Sequence, residues 1–451
     1  MRIAWFTPLS RTSSIGRFSV AVTASLSRLA YVDLCYFDSQ DIRESRVTAR
    51  RFSSAASITA DVWNGYDIVV YNLGNYLPFH REIYLLSRRW PGVCILHDFV
   101  MHHFFADYYF NYLHDSNAYS LLMQHTYGFQ APVGERAWET AEVVHYPLFE
   151  EAARGALGII THSEFFKRRV EECFAGPVAR IPLACDAVTR ATEGSRSGPT
   201  RTEPSRTEPS KTKLGVAADQ LLILTVGHVN RNKQIESALD ALAQIRSDLG
   251  SFIYAIVGPV SADYERELKS AAREKGLGDV VRFLGQVSDE VLFAYLSAAD
   301  VCINLRFPIT EGASGSLVEQ MAFGKPVIVN DVGCFSELPD ECVIKVPANS
   351  DGRVARALRR LANDAPDRIA MGARAKAFAQ TEFHPDRYAR QFMEFMWEVQ
   401  SAKPILSLSD RVGVELGRMG AHADARILDV IAREINEIFV EKPSHTDASH
   451  R

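Results

Sequence analysis

Short apolar runs separated by polar loops set the rhythm of this chain. Ile3–Thr7, Val32–Phe37, Asp67–Tyr71, Val93–Leu96, Leu157–Thr161 and Val178–Pro182 are rich in β-branched and aliphatic residues, without polar alternation along most of their length. Runs of that kind predict strands covered on both faces, the condition of a parallel sheet. A second series follows at Leu221–Val226, Phe252–Val257, Val280–Leu284, Val301–Asn304 and Val327–Val329. Helical periodicity falls between the runs, at Phe18–Leu29, Ile235–Ile245 and Ser288–Ala299, and returns at Val354–Leu361, Ala375–Phe378 and Asp386–Trp397. Strand alternating with helix predicts an α/β protein with parallel sheets. At 451 residues the chain can build two core-bearing domains and a tail.

The pattern also divides the chain. Thr192–Lys213 holds Arg-Thr-Glu-Pro-Ser twice in tandem, at 201–205 and 206–210, with almost nothing apolar to bury. It predicts a disordered, solvated tether. The expected layout is a first domain at 1–188, a linker at 189–213 and a second domain at 214–385. A crossover helix at 386–403 and a helical tail at 404–451 follow, with two amphipathic helices in Ile405–Phe439 and a frayed end from Lys442.

Val301–Glu337 carries the densest chemistry. A buried strand runs into a polar loop holding Glu311 and Gly312. Ser316 and Glu319 have capping-box spacing at the start of a short apolar helix, and Gly324 and Pro326 end it before the next strand. Ligands of parallel sheets sit beyond the carboxyl ends of the strands, where this loop and helix start lie. The N–H groups of Gly315, Ser316 and Leu317 are expected to face an anion, with Glu311 and Glu319 bordering the same crevice.

Glu311 and Glu319 flank seven residues, with Gly312 behind the first and Gly-Lys-Pro-Val closing the helix. This resembles the retaining glycosyltransferases of family 4, whose fold is GT-B: two Rossmann-like doubly wound domains facing a cleft. Here a C-terminal helical extension is added. Ser314 stands where the family usually has Gly, and Gly315-Ser316 where it has Leu-Pro. Further segments carry the resemblance. Gly227–Lys233 is similar to a segment in which two cations hold the donor diphosphate. Lys233 matches, His228 replaces the usual Arg, and Arg231 is a candidate alternative cation. Gly16 resembles the glycine facing the donor phosphates, and His97 a histidine that hydrogen-bonds the donor sugar. Gly258 and Arg282-Phe283 are candidates for holding the nucleobase.

The resemblance implies transfer of a hexose from a nucleotide-sugar such as GDP- or UDP-hexose to a glycan or lipid-linked acceptor. The anomeric configuration is retained by front-face displacement, without a metal or other cofactor. Lys233 and the Gly315–Leu317 amides would hold the diphosphate, Glu311 the sugar hydroxyls, Glu319 the ribose, and His97 the sugar from the opposite domain. Polysaccharide, lipopolysaccharide or mannosyl-glycan synthesis is the usual context. Two alternatives stay open: a sugar-nucleotide epimerase, which needs no acceptor, and a non-catalytic nucleotide-sugar-binding protein.

Composition narrows the partners. Formal net charge is −5 and hydrophobic content 47%, with no basic field for nucleic acid. No apolar stretch reaches membrane-spanning length, and the start reads as a strand rather than a leader, which predicts a cytoplasmic protein. Arg88-Arg89-Trp90 leaves room for peripheral contact at the inner membrane face, and the C-terminal helices for a homodimer. The seven cysteines include no CxxC and read as buried thiols. His102 and His103 have no accompanying ligand set for a metal. The aromatic segment Phe99–Tyr112 reads foremost as a core helix, with an acceptor platform as the sharper alternative.

Overall fold

In the computed structural model the described residues are 1–38, 41–128, 143–189 and 211–419, with 430, 431 and 434. Seven strands form the first sheet: β1 (Arg2–Phe6), β2 (Tyr31–Tyr36), β3 (Thr48–Arg51), β4 (Ile68–Leu73), β5 (Val93–Leu96), β6 (Gly158–Thr161) and β7 (Val178–Arg180). Their spatial order is 3-2-1-4-5-6-7 and every pairing is parallel. Six strands form the second: β8 (Leu221–Val226), β9 (Phe252–Val257), β10 (Val281–Gly285), β11 (Val301–Asn304), β12 (Val327–Asn330) and β13 (Val343–Val346), in the order 10-9-8-11-12-13 and again all parallel. Both are doubly wound sheets. Strand order reverses between β1 and β4 in one and between β8 and β11 in the other, which marks the two ligand-binding crevices.

Four helices frame the cleft: α1 (Ser14–Leu26), α2 (Glu164–Glu171), α3 (Gly315–Ala322) and α4 (Pro385–Arg418). The first starts four residues before its apolar periodicity does, because Ser13 caps it, accepting from the Gly16 amide at 3.0 Å. The last runs unbroken through Pro404, where the sequence suggested a division. Its Tyr388, Phe392, Met396 and Val399 are buried against Ile3, Trp5, Phe18 and Ile160, so the C-terminal segment completes the core of the first domain. The indole of Trp5 lies 5.4 Å from the Phe392 ring. Phe99–Tyr112 is not one helix. A helix at His102–Asp107 passes into a wide turn at Tyr108–Tyr112, while Phe99, Phe104 and Phe105 sit in the core, as the foremost reading expects.

The domains meet through polar contacts at strand ends. Glu337 of the second domain accepts from the amides of Glu164 and Phe165 at 2.9 and 2.6 Å, neutralising the positive start of α2. The Val100 amide donates to Thr310 at 2.9 Å and the Gly312 amide to His97 at 3.1 Å. The loop bearing Glu311 is therefore pinned to the end of β5. Six of the seven cysteines are buried and Cys173 is exposed; all are unbridged. No described helix is long and apolar enough to cross a membrane. Trp90 stacks on Trp63 at 5.5 Å, beneath Arg89. The linker repeat and the tail beyond 419 lie outside the described residues, apart from the three noted above.

Candidate functional site

The carboxyl end of β11 delivers Asn304, Leu305 and Arg306 into the interior, all almost wholly buried. A guanidinium is seldom buried without several acceptors. Arg306 Nε lies 2.9 Å from Glu311 Oε1, Nη1 donates to the Leu305 carbonyl at 2.7 Å, and Nη2 donates to Ser316 Oγ at 3.4 Å. Glu311 thus reaches the cleft with its carboxylate held from behind. Helix α3 begins one residue later than Ser314, whose hydroxyl accepts from the Leu317 amide at 3.4 Å. That corrects two expectations. The cap is Ser314 rather than Ser316 with Glu319, and the Leu317 amide is already engaged. Gly315 remains exposed, with no atom within 4 Å of where a side chain would start.

Beside this helix start stands Lys233, 6% exposed. Its ammonium donates to the Val226 carbonyl at 3.0 Å, and no carboxylate of the described residues lies within 4.0 Å of it. Burial first, and then Arg306, push its pKa well below the ordinary lysine value, against the pull of Glu311. His228 is exposed, and partial burial with Lys233 beside it lowers its pKa, so it adds no charge at neutral pH. Arg231 lies outside the cluster. It pairs with Glu267 at 2.8 Å and Glu236 at 3.8 Å and covers the Tyr264 ring, on the outer side of the domain. Nearness to Lys233 in sequence did not carry into space, because Arg231–Lys233 form a single tight turn, with Lys233 buried and Arg231 on the exposed side.

The facing wall comes from the first domain. His97 follows β5 and borders the cleft, and both ring nitrogens face partners within the first domain. Nε2 meets Asn72 Oδ1 at 3.0 Å and Nδ1 meets His162 Nε2 at 3.1 Å. His162 in turn meets the Ile181 carbonyl through Nδ1 at 2.9 Å, and Asn72 Nδ2 donates to the Phe6 carbonyl at 2.9 Å. The ring of His97 is therefore a buried strut rather than a free donor, and its carbonyl positions Gly312. Burial, then His162 and His80, hold its pKa well below the ordinary value. Asp98 follows at the cleft edge, its backbone bridged to that of Glu311 across the domains; burial, offset in part by the Asn75 amide and reinforced by the Glu311 charge, raises its pKa to about 6.

Arg17, in the first turn of α1, crosses to the second domain. It pairs with Glu319, and lies 3.8 Å from Asp289 and 3.9 Å from Asp186. Glu319 is 3% exposed, so this guanidinium sits where a sugar diol was expected. Gly16 packs against Pro8, and a side chain there would start 2.5 Å from the Pro8 carbonyl. Its amide is taken by Ser13. Gly258 lies against Gly227, and Phe283 lies under Lys269 at 5.8 Å. Neither borders the cavity lined by Arg17, His97, Asp98, Glu311, Gly315 and Glu319. The structure thus brings Glu311, Glu319, Gly315 and His97 to one cavity, lined also by Arg17, Asp98 and His162, and Arg306, Ser316 and Lys233 adjoin it through Glu311 and the start of α3. Sequence reading missed Arg306 because it stands in a stretch that reads as polar loop. A charged residue directly after a buried strand was the available signal.

Comparison with known proteins bears on this cleft. Residues 206–378 match the family model for "Glycosyl transferases group 1". The amylovoran biosynthesis glycosyltransferase AmsK of Erwinia amylovora is 30% identical over 182 residues, which is 39% of this chain and 44% of that protein. The chain thus spans less than half the length of that curated relative. Among solved structures, sucrose-phosphate synthase of Thermosynechococcus elongatus aligns with a TM-score of 0.63 over 89% of this chain and 100% of the other, at 19% identity. HepE of Anabaena, determined with UDP and glucose, aligns with a TM-score of 0.59 over 88% of this chain and 99% of the other, at 18% identity. These likenesses establish the two-domain fold.

Proposed function

We infer that this chain, whose residues 206–378 match the group 1 glycosyltransferase family model, moves a hexose from a nucleotide-sugar to a glycan or lipid-linked acceptor. One observation carries the reading. Two buried basic side chains, Lys233 and Arg306, stand beside the positive start of α3, and one carboxylate, Glu311, pairs with Arg306. Uncompensated buried charge is unfavourable unless a ligand completes it. A diphosphate supplies the missing negative charge, and it is the group a nucleotide-sugar leaves behind.

The chemistry follows from that placement. The bond between the anomeric carbon and the diphosphate oxygen breaks as the acceptor oxygen approaches from the same face, and configuration is retained. The acceptor proton passes to the departing diphosphate. Lys233, the Gly315 and Ser316 amides and the α3 dipole stabilise the charge that develops there. Glu311, fixed by Arg306 and the β5 contact, orients the sugar hydroxyls. Glu319 is released by Arg17 to hold the ribose diol. In this scheme Lys233, Arg306 and the start of α3 supply the positive charge that faces the diphosphate, without a metal.

A thermal-shift series with UDP, GDP, ADP and dTDP, each with and without EDTA, tests the site. Ligand at about 100 times its Kd stabilises the folded state by about 2.7 kcal/mol. That corresponds to a rise of roughly 5–10 °C for domains of this size. One nucleotide is expected to give such a rise, unchanged by EDTA. No rise with any of them removes the diphosphate site, and a rise abolished by EDTA removes the metal-free scheme. Incubating the matching sugar nucleotide with and without an oligosaccharide or lipid acceptor then separates transfer from epimerisation and from binding alone.

A further inference from the structure

Ser316 occupies a position that constrains its hydrogen. Its Oγ receives Asn304 Nδ2 at 3.1 Å and Arg306 Nη2 at 3.4 Å. Arg306 is a donor with no acceptor capacity, so that contact consumes one Ser316 lone pair in any arrangement. Asn304 Nδ2 also donates to Gln320 Oε1 at 2.8 Å, while Asn304 Oδ1 and Gln320 Nε2 are buried without a hydrogen-bond partner. A serine hydroxyl has two lone pairs and one hydrogen. With both lone pairs filled, the hydrogen has two destinations: Ser314 Oγ at 3.2 Å, or the open side of the α3 start. Asn304 and Arg306 are each 98% or more buried, at 1% and 2% exposure, whereas Ser316 is only partly covered. Two donors in the interior therefore stand behind one partly covered hydroxyl at the start of α3.

We propose that Arg306 and Asn304 hold the Ser316 hydroxyl as an obligate donor to the diphosphate of the nucleotide-sugar. In the empty cleft its hydrogen rests on Ser314; with ligand it turns to a phosphate oxygen. Donation into Oγ from a guanidinium polarises the O–H bond, so the hydroxyl is a stronger donor than a solvated serine. Arg306 acts through Ser316 and Glu311 and is a positioning residue. This inference rests on the diphosphate reading above, and adds a side-chain contact to the backbone amides assigned there.

Calorimetric titration of UDP, GDP, ADP and dTDP against the corresponding monophosphates tests it, on the full chain. In the wild type one diphosphate is expected to bind more tightly than its monophosphate. Ser316→Ala is expected to weaken that diphosphate about 10-fold, the range of one hydrogen bond to a charged group, and to leave the monophosphate unchanged. Arg306→Lys, which keeps charge but loses the geometry of the fork, is expected to weaken it similarly. The double variant is expected to bind like either single one, because a nucleoside diphosphate offers no hexose to Glu311 and both changes then act through one hydroxyl. Fold losses that multiply in the double variant overturn the positioning role. An unchanged diphosphate affinity in Ser316→Ala, with a far-ultraviolet spectrum like the wild type, overturns the whole proposal. Failure of the wild type to bind any diphosphate overturns the reading beneath it instead, and this inference falls with it.

Discussion

Lys233→Ala is expected to lower sugar transfer by about 10²–10³-fold, the usual loss on removing one preorganised charge at a leaving group. The same change is expected to make the ligand-free protein more stable. The wild-type ammonium is buried beside Arg306 without a carboxylate of its own, so folding desolvates a charge and returns only one carbonyl contact. The sign of the pH dependence follows. A base whose folded pKa is depressed binds more protons when unfolded, between its folded pKa and its free value of about 10.4. Stability from this group therefore rises with pH across that window. Melting temperatures taken from pH 7 to 9.5 are expected to climb more steeply in the wild type than in Lys233→Ala. A variant that loses activity, melts lower and keeps the full slope would show that Lys233 serves packing instead.

Gly258→Ala is expected to cost the most stability of any single methyl added near the cleft. The residue has φ of +144°, and an added Cβ would lie 2.1 Å from the Gly227 carbonyl oxygen. Strain at such a backbone position is of order 1–3 kcal/mol, and overpacking adds a similar amount. A total of roughly 3 kcal/mol or more corresponds to a fall of about 6–12 °C in Tm. Nucleotide affinity should fall too, because Gly227 is the backbone against which the Lys233 ammonium packs. A Tm within about 2 °C of the wild type would show that the β8 and β9 loops can separate freely.

Much of the scaffold was legible from pattern alone. Leu221–Val226, Phe252–Val257 and Val301–Asn304 match β8, β9 and β11 end to end, because strands covered on both faces show as unbroken apolar runs. The exposed edge strand β3 was not legible, since Thr-Ala-Arg-Arg buries nothing. Capping chemistry misled at α3. Ser314 and Ser316 both suit a cap, and which one bonds the backbone depends on how Arg306 and Asn304 engage Ser316. Glu319 fitted a capping box by spacing, yet its partner is Arg17, 302 positions away in sequence. The same limit applies to Arg306 and His162: a site whose contacts join separate strands and domains is written in three dimensions, and local spacing reports only the members that share a loop.

The strut behind His97 has a consequence for proton balance. From the Ile181 carbonyl through His162 and His97 to Asn72 Oδ1 there are three links, and both ends are acceptors. Three links require three protons, and two neutral imidazoles own two. Burial holds both rings neutral, with His162 pushed down to about 4, so the empty cleft leaves one link unfilled. His80 lies behind Asn72 and Tyr388 beside His162, and Asp98, Arg17, Cys185, Asp186, Glu311 and Glu319 line the same cavity. An anion entering this cleft favours the third proton. Association should then draw hydrogen ions from solution, and its measured heat should vary with the ionisation enthalpy of the buffer. In His162→Gln, which removes one imidazole from the relay, that variation should shrink. The first domain would thus register an arriving negative charge through a pair of imidazoles in the wall of the cleft.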